Sequence, residues 1–262
     1  MYPAVRELSR KYSTKWNGLS KAMAGTVSRI YYPRVFVTGV GTGGRAFLTP
    51  AAEETVKSCG IIVGWPEVIK NLRFGLENKL VLEQNCINYQ QLLAEAAGLA
   101  RAKLEDVALL VMDDPLVYSA GLGGYSDIFK DFRIEFIPAV SSLQLLAASA
   151  RLSLEDCLQV VYKPDASGNI DQTDLALKRE RMLKALKAGY HILVLSDLEQ
   201  TLAQTACFLI EKGLAVETGV IVGEQMGTDS QKITEKSILE VSRDTSHWIS
   251  CMAVRQGKIL KK

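Results

Sequence analysis

Residues 34–58 read RVFVTGVGTGGRAFLTPAAEETVKS, and the rest of the chain is organised around them. Val35, Phe36 and Val37 make an apolar run of β type, and Gly39, Gly41, Gly43 and Gly44 follow it. Thr49 then stands where a helix cap belongs, with Pro50 at the first helical position and Glu53 and Glu54 behind it. A strand, a glycine turn and a helix open an α/β nucleotide-type site. Glycines in such a turn admit positive φ and leave N–H groups open to a ligand. A purely structural turn is the alternative.

Gly39, Gly41 and Gly44 also fit the Gly-x-Gly-x-x-Gly pattern of dinucleotide sites. Two features oppose that use. Arg45, Ala46, Phe47 and Leu48 separate the last glycine from the cap, whereas a pyrophosphate needs the helix to begin at the glycines. The second strand, expected at 61–63, runs into Gly64-Trp65-Pro66 and carries no acidic residue for a ribose. A nicotinamide-dependent oxidoreductase is therefore disfavoured.

The chain has 262 residues, with 31 basic and 29 acidic side chains. Length fits one large domain or two of ordinary size, and the near balance of charge offers no general case for nucleic acid. Cys59, Cys86, Cys157, Cys207 and Cys251 lie far apart with no Cys-x-x-Cys pair, so neither a metal site nor a disulfide frame is expected. They read as reduced, mostly buried thiols of a cytoplasmic protein. No apolar run is long enough to span a bilayer, and the N-terminus lacks the apolar core of a secretion signal. His191 and His247, the two histidines, read as structural or surface residues.

Residues 1–33 form a basic, aromatic appendage. Val5, Leu8, Tyr12, Trp16, Leu19 and Met23 fall at helical spacing, interrupted by Asn17-Gly18. That stripe packs on the body or a partner in one reading and lies on a membrane in another, which Glu7 and the Asn-Gly break oppose. From residue 34 short β-rich runs alternate with helical ones. Strands are expected at 35–38, 61–63, 80–83, 108–112 and 134–137, and helices at 51–58 and 89–102. This rhythm predicts a parallel sheet covered on both faces. Beyond about residue 140 come a helix at 143–150, a strand at 158–162, a polar loop at 163–173 and a helix at 174–188. A strand at 191–195, a helix at 198–212, a strand at 219–223 and a β-rich tail at 248–254 complete the chain. The expected organisation is a 1–33 appendage, an α/β domain over 34–139 and a second α/β domain over 140–262.

Three loops sit at C-terminal strand ends, where open α/β sheets bind ligands: 39–44, 112–118 (MDDPLVY) and 138–142 (PAVSS). Together they resemble the tetrapyrrole methylase family. The first is similar to the family's Gly-x-Gly-(Pro)-Gly…Leu-Thr-x-x-Ala signature, down to Leu48-Thr49-Pro50-Ala51-Ala52. The second resembles Gly-Asp-Pro-x-x-Tyr and the third Pro-Gly-x-Ser-Ser. Val63-Gly64, Ser141-Ser142-Leu143-Gln144, Ile221-Val222-Gly223-Glu224-Gln225-Met226-Gly227 and Lys232-Ile233-Thr234 resemble the family's precorrin C-5 methyltransferase branch. Thr42 replaces the family's proline, Asp113 the glycine before Asp-Pro and Ala139 the glycine of the third loop. Lys163-Pro164-Asp165 stands where the branch has His-Gly-Arg.

The resemblance implies two α/β domains with a cofactor cleft between them. It implies methyl transfer from S-adenosylmethionine to a precorrin or cobalt-precorrin ring in cobalamin biosynthesis, and a homodimer in the cytoplasm. In some organisms the C-5 enzyme is fused to a C-15 methylase and decarboxylase; here that activity is expected on a separate protein. Carried over by position, the cofactor contacts are Thr42, Met112, Asp113, Asp114, Val117, Ser141, Ser142, Ser196 and Gly219. Arg45, Tyr118 and Lys163 are candidates for a substrate bearing many carboxylates, with surface or core roles as the alternatives. The alternative for Asp113 or Asp114 is an ordinary turn former before Pro115. Methyl transfer from a sulfonium needs donor and acceptor held in line rather than a covalent nucleophile, and the chain carries no Ser/His/Asp or Cys/His signature. No general base stands out. A same-fold methylase for another ring position, and a binding protein that has lost the chemistry, remain alternatives.

Overall fold

The computed structural model describes residues 33–43, 45–72, 74–118, 124–162, 170–197, 200–244 and 250–256. The chain divides into Met1–Tyr32 and Pro33–Lys262. The amphipathic stripe of the appendage and His247 lie outside the described residues.

The first sheet consists of β1 (Arg34–Gly39), β2 (Ile61–Gly64), β3 (Leu80–Glu83), β4 (Val107–Val111) and β5 (Arg133–Ile137) in the order β3-β2-β4-β1-β5. Every neighbouring pair is parallel, as the alternating rhythm predicts. Each strand splits its side chains between two cores. Val35, Val37, Ile61, Val63, Val107, Leu109 and Val111 face α3 (Tyr89–Lys103) and α4 (Tyr125–Ile128). Phe36, Ile62, Ala108 and Leu110 face α1 (Pro50–Ser58) and α2 (Pro66–Leu72). Thr49 caps α1 as expected, its Oγ1 accepting from the Ala52 N–H at 3.2 Å. The unexpected α2 begins on Pro66, whose missing N–H costs nothing in a first turn. Seven residues are too few to show a helical period.

Parallel pairing carries the C-terminal ends of β4, β1 and β5 to one edge, side by side. At the opposite end Asp106 anchors β1. Its Oδ1 accepts the Arg34 N–H at 2.7 Å, and its Oδ2 accepts from Arg34 Nη2 at 2.7 Å and Nε at 3.1 Å. Asp106→Ala leaves a backbone donor and a guanidinium short of acceptors, so it is expected to cost about 2 kcal/mol. Differential scanning calorimetry should show this as a fall in Tm of roughly 4–8 °C.

The second sheet holds β6 (Cys157–Val161), β7 (His191–Leu195), β8 (Gly219–Glu224), β9 (Lys232–Ser237) and β10 (Ser250–Val254), ordered β6-β7-β10-β8-β9. Only β6 and β7 pair in parallel; β10 runs antiparallel to β7 and β8, and β8 and β9 form an antiparallel pair. One face is covered by α5 (Ser142–Ala150), the other by α6 (Gln172–Lys187), α7 (Leu202–Glu211) and α8 (Ile238–Ser242). Neither β9 nor α8 is legible from sequence: β9 reads KITEKS, a polar edge strand, and α8 is barely one turn. His191 is structural, its Nδ1 accepting the Gln256 N–H at 3.0 Å.

The expectation of mostly buried thiols is corrected. Cys59 and Cys251 are buried, Cys157 is half-buried, and Cys86 and Cys207 are exposed, all of them free. Cys86 falls in the turn before α3 and Cys207 on the outer side of α7, positions that no core periodicity reaches.

Candidate active site

Gly39 ends β1 at the point where three loops meet. A Cβ built on it would lie 2.7 Å from the Ala139 Cβ, 2.7 Å from the Asp113 carbonyl oxygen and 2.8 Å from the Pro115 Cδ. The first glycine of the motif is thus required for close approach. Positive φ is required two and four residues later, at Gly41 (+72°) and Gly43 (+104°). Hydrogen bonds lock the convergence. The Val40 N–H donates to Val111 O at 2.9 Å, and the Asp113 N–H to Gly41 O at 2.8 Å. Thr49 Oγ1 donates to the Pro138 carbonyl at 3.3 Å, joining the cap of α1 to the third loop.

The two acids of the second loop do different things. Asp114 is a tie: Oδ1 accepts the Leu116 N–H at 2.7 Å, and Oδ2 accepts the Ala139 N–H at 2.9 Å across the gap to the third loop. Both of its oxygens are engaged by the protein. Asp113 takes positive φ, +63°, and is 3% exposed. Its Oδ1 accepts both the Ser142 N–H (2.8 Å) and the Ser142 hydroxyl (2.9 Å), at the first turn of α5. Burial above all pushes its carboxyl up to about 6, against the pull of the two Ser142 hydrogen bonds, and the neighbouring Asp114 charge adds to the rise. Ser141 caps α5: its Oγ accepts the Gln144 N–H at 3.2 Å, and Gln144 Oε1 accepts the Ser141 N–H at 2.8 Å. The side chains of Ser141 and Ser142 are therefore both committed to protein partners.

The second sheet meets these loops through two segments. After β7, the Ser196 N–H donates to Ser250 O at 2.8 Å and its Oγ accepts the Ser250 N–H at 2.9 Å. After β8, Gln225 (φ +48°) and Gly227 (φ +76°) turn the chain towards Thr42. A Cβ on Gly227 would fall 1.8 Å from the Thr42 Oγ1 and 2.8 Å from its Cβ. Thr42 is 5% exposed, and its hydroxyl has no hydrogen-bond partner among the described residues. Tyr118 is half-buried against the core under α5. Burial, then the charges of Asp197 and Asp113, push its phenol up to about 12.

The structure thus brings together Thr42, Asp113, Asp114, Val117, Tyr118, Ser141, Ser142 and Ser196, with Met112 exposed beside them. Gly219 stands apart. It begins β8 opposite Ser237, while Ser250, the partner of Ser196, pairs with Glu224 at the other end of that strand. Four residues of extended chain, roughly 13 Å, separate it from Gly223. Because β8 runs in the same direction as β7, each antiparallel to β10 between them, its C-terminal end reaches the cleft. The segment 224–227 belongs to the branch motif quoted at 221–227, but no candidate site residue was drawn from it. Arg45 lies in the Arg45–Phe47 turn with its guanidinium 5.5 Å over the Phe74 ring. Lys163 and Gly44 lie outside the described residues.

The model of the tetrapyrrole (corrin/porphyrin) methylases matches residues 34–241. The chain belongs to the tetrapyrrole methylase family. It is accordingly a methyltransferase. It is 26% identical over 220 residues to a probable cobalt-precorrin-7 C(5)-methyltransferase of Methanocaldococcus jannaschii, a match covering 83% of this chain and 96% of that one. Its fold is shared with the methyltransferase CobJ (TM-score 0.71, 15% identity, 86% of this chain and 95% of the other). It is shared too with the precorrin-6Y methylase of Archaeoglobus fulgidus (TM-score 0.61, 19% identity, 86% and 99%). Among the described residues, no helix of this tetrapyrrole methylase is long and apolar enough to cross a membrane.

Proposed function

We propose that this methylase transfers a methyl group from S-adenosylmethionine to carbon 5 of a precorrin or cobalt-precorrin ring. One observation carries the donor site: the buried Thr42 hydroxyl, without a partner where the glycine loop meets the 224–227 turn. An orphaned hydroxyl is costly in a dry contact and inexpensive where a polar ligand completes it. The residues present therefore fit a donor with polar ends and a flat apolar middle. Thr42 and the backbone of the three loops hold the polar parts, and Met112 and Val117 flank the ring, with Asp113 beside them. When bound, S-adenosylmethionine supplies an electrophilic methyl group. The protein's task is to hold the acceptor carbon in line with it and keep water out.

The choice of carbon 5 is supported by the relative from M. jannaschii and by the branch motifs at 141–144 and 221–227. Arg45 and Lys163 are the proposed contacts for ring carboxylates, with Tyr118 at the cleft wall. The two sheets are taken as two halves, 34–139 and 140–262, behind the 1–33 appendage. A cytoplasmic homodimer, and a separate C-15 methylase and decarboxylase, belong to the same reading.

The test is turnover. The protein, 13C-methyl S-adenosylmethionine and a cobalt-precorrin acceptor should give one new methyl signal, assigned by NMR to carbon 5. A methyl group at another carbon would overturn the positional assignment. Absence of transfer to any corrin precursor, with NADH bound instead, would overturn the whole reading.

A further inference from the structure

Asp113 is a buried carboxylate without a counter-ion among the described residues. Its Oδ1 is held by two neutral donors of Ser142, and its Oδ2 has no hydrogen-bond partner among the described residues. The titratable groups that face it are Asp114 and Tyr118 from its own loop and Cys251 from β10, with Asp197 acting on Tyr118 from beyond β7. None of these is a cation, and Arg45 is turned to the Phe74 ring. Asp114 cannot substitute for it, since both its oxygens are taken by backbone N–H groups. A lone charge removed from water is unfavourable unless something of opposite sign joins it. The same junction holds the partnerless Thr42 hydroxyl, one residue past Gly41, whose carbonyl accepts the Asp113 N–H.

We propose that Asp113 is the counter-charge by which this site selects a cationic ligand, the sulfonium donor, over the neutral thioether left after transfer. The proposal rests on the donor reading above. Both ligands share the amino-acid and adenosine parts, so the ammonium group and the ring contribute alike to each. Only the sulfur differs in charge, and Asp113 discriminates there. The carboxyl titrates near pH 6, so a cation bound beside it holds it ionised. Binding at lower pH then expels a proton.

Calorimetric titration of the full chain with S-adenosylmethionine and S-adenosylhomocysteine, without acceptor, tests this. At about pH 8 the wild type should prefer the sulfonium by about tenfold, and Asp113→Asn should bring the ratio to within about twofold. At about pH 5.5, in two buffers of different ionisation enthalpy, the wild type should release up to about one proton per sulfonium bound and the variant none. Asp113→Gly suits the positive φ and gives the same comparison should the Asn variant fail to fold. An unchanged affinity ratio in the variants would overturn the counter-charge while leaving the donor site standing. Failure of both ligands to bind wild type and variants alike would remove the donor reading, and the proposal with it.

Discussion

Gly39→Ala is expected to lower stability by about 3 kcal/mol and to weaken S-adenosylhomocysteine binding by at least about tenfold. The new methyl group would meet three atoms at 2.7–2.8 Å, one a backbone carbonyl, one the Ala139 methyl and one a proline ring carbon. None of these is the end of a flexible side chain. Relief requires β1 or the loops after β4 and β5 to move, and those loops are cross-tied by Asp114 and Thr49. Strain at Gly39 therefore spreads to every segment proposed to touch the donor. A loss of about 3 kcal/mol corresponds to a Tm lower by roughly 6–12 °C. Gly98→Ala is the matched control: Gly98 lies exposed in α3 with open space around its Cβ position. There the substitution should stabilise by about 0.5–1 kcal/mol, through helix propensity alone. Equal melting curves for the two variants would mean that the three loops do not pack at Gly39 as described.

Gly39 also shows what sequence could and could not convey. The strand, turn and capped helix at 34–58 were legible because each step has its own local chemistry: β-branched residues, then glycines, then Thr-Pro with acids behind. The parallel order of the first sheet followed from alternation. Which glycine served which purpose was not local. Gly39 is needed because residues about 75 and 100 positions away crowd it, and only the β4-β1-β5 order brings them there. Gly219 lies away from the other candidates for a related reason: strand direction in the second sheet is a property of pairing, and β10 arrives from the end of the chain to set it. Once β8 is known to run in the same direction as β7, the end that meets the loops is its C-terminal one, at 224–227. Ser141 and Ser142 stand at the start of α5, and their partners, Gln144 and Asp113, are protein groups that the pattern Pro-x-x-Ser-Ser does not name.

Asp113→Asn should make the protein more stable at neutral pH, by as much as about 3 kcal/mol, and nearly neutral in effect at about pH 4. Burial pushes the carboxyl up to about 6 in the folded protein, from its ordinary value of 3.8. Its pKa is thus raised on folding, so the native state binds more protons than the unfolded chain between those values. The contribution to stability is fully present below about pH 4 and is lost as pH rises through about 6. A rise of about two units corresponds to about 3 kcal/mol. Asparagine removes the titration, tolerates positive φ, and keeps an oxygen for the Ser142 N–H and hydroxyl. Melting both proteins from about pH 4 to pH 8 should therefore give curves that coincide at the acid end and diverge upwards through about pH 6, with the variant on top. Parallel curves would mean that Asp113 is solvated or paired in solution. Divergence would show a protein keeping an ionised acid, in a strained backbone conformation, that its fold would be more stable without. Such a cost is tolerated where the group has work to do on a ligand, and the melting curves measure that cost with no ligand present.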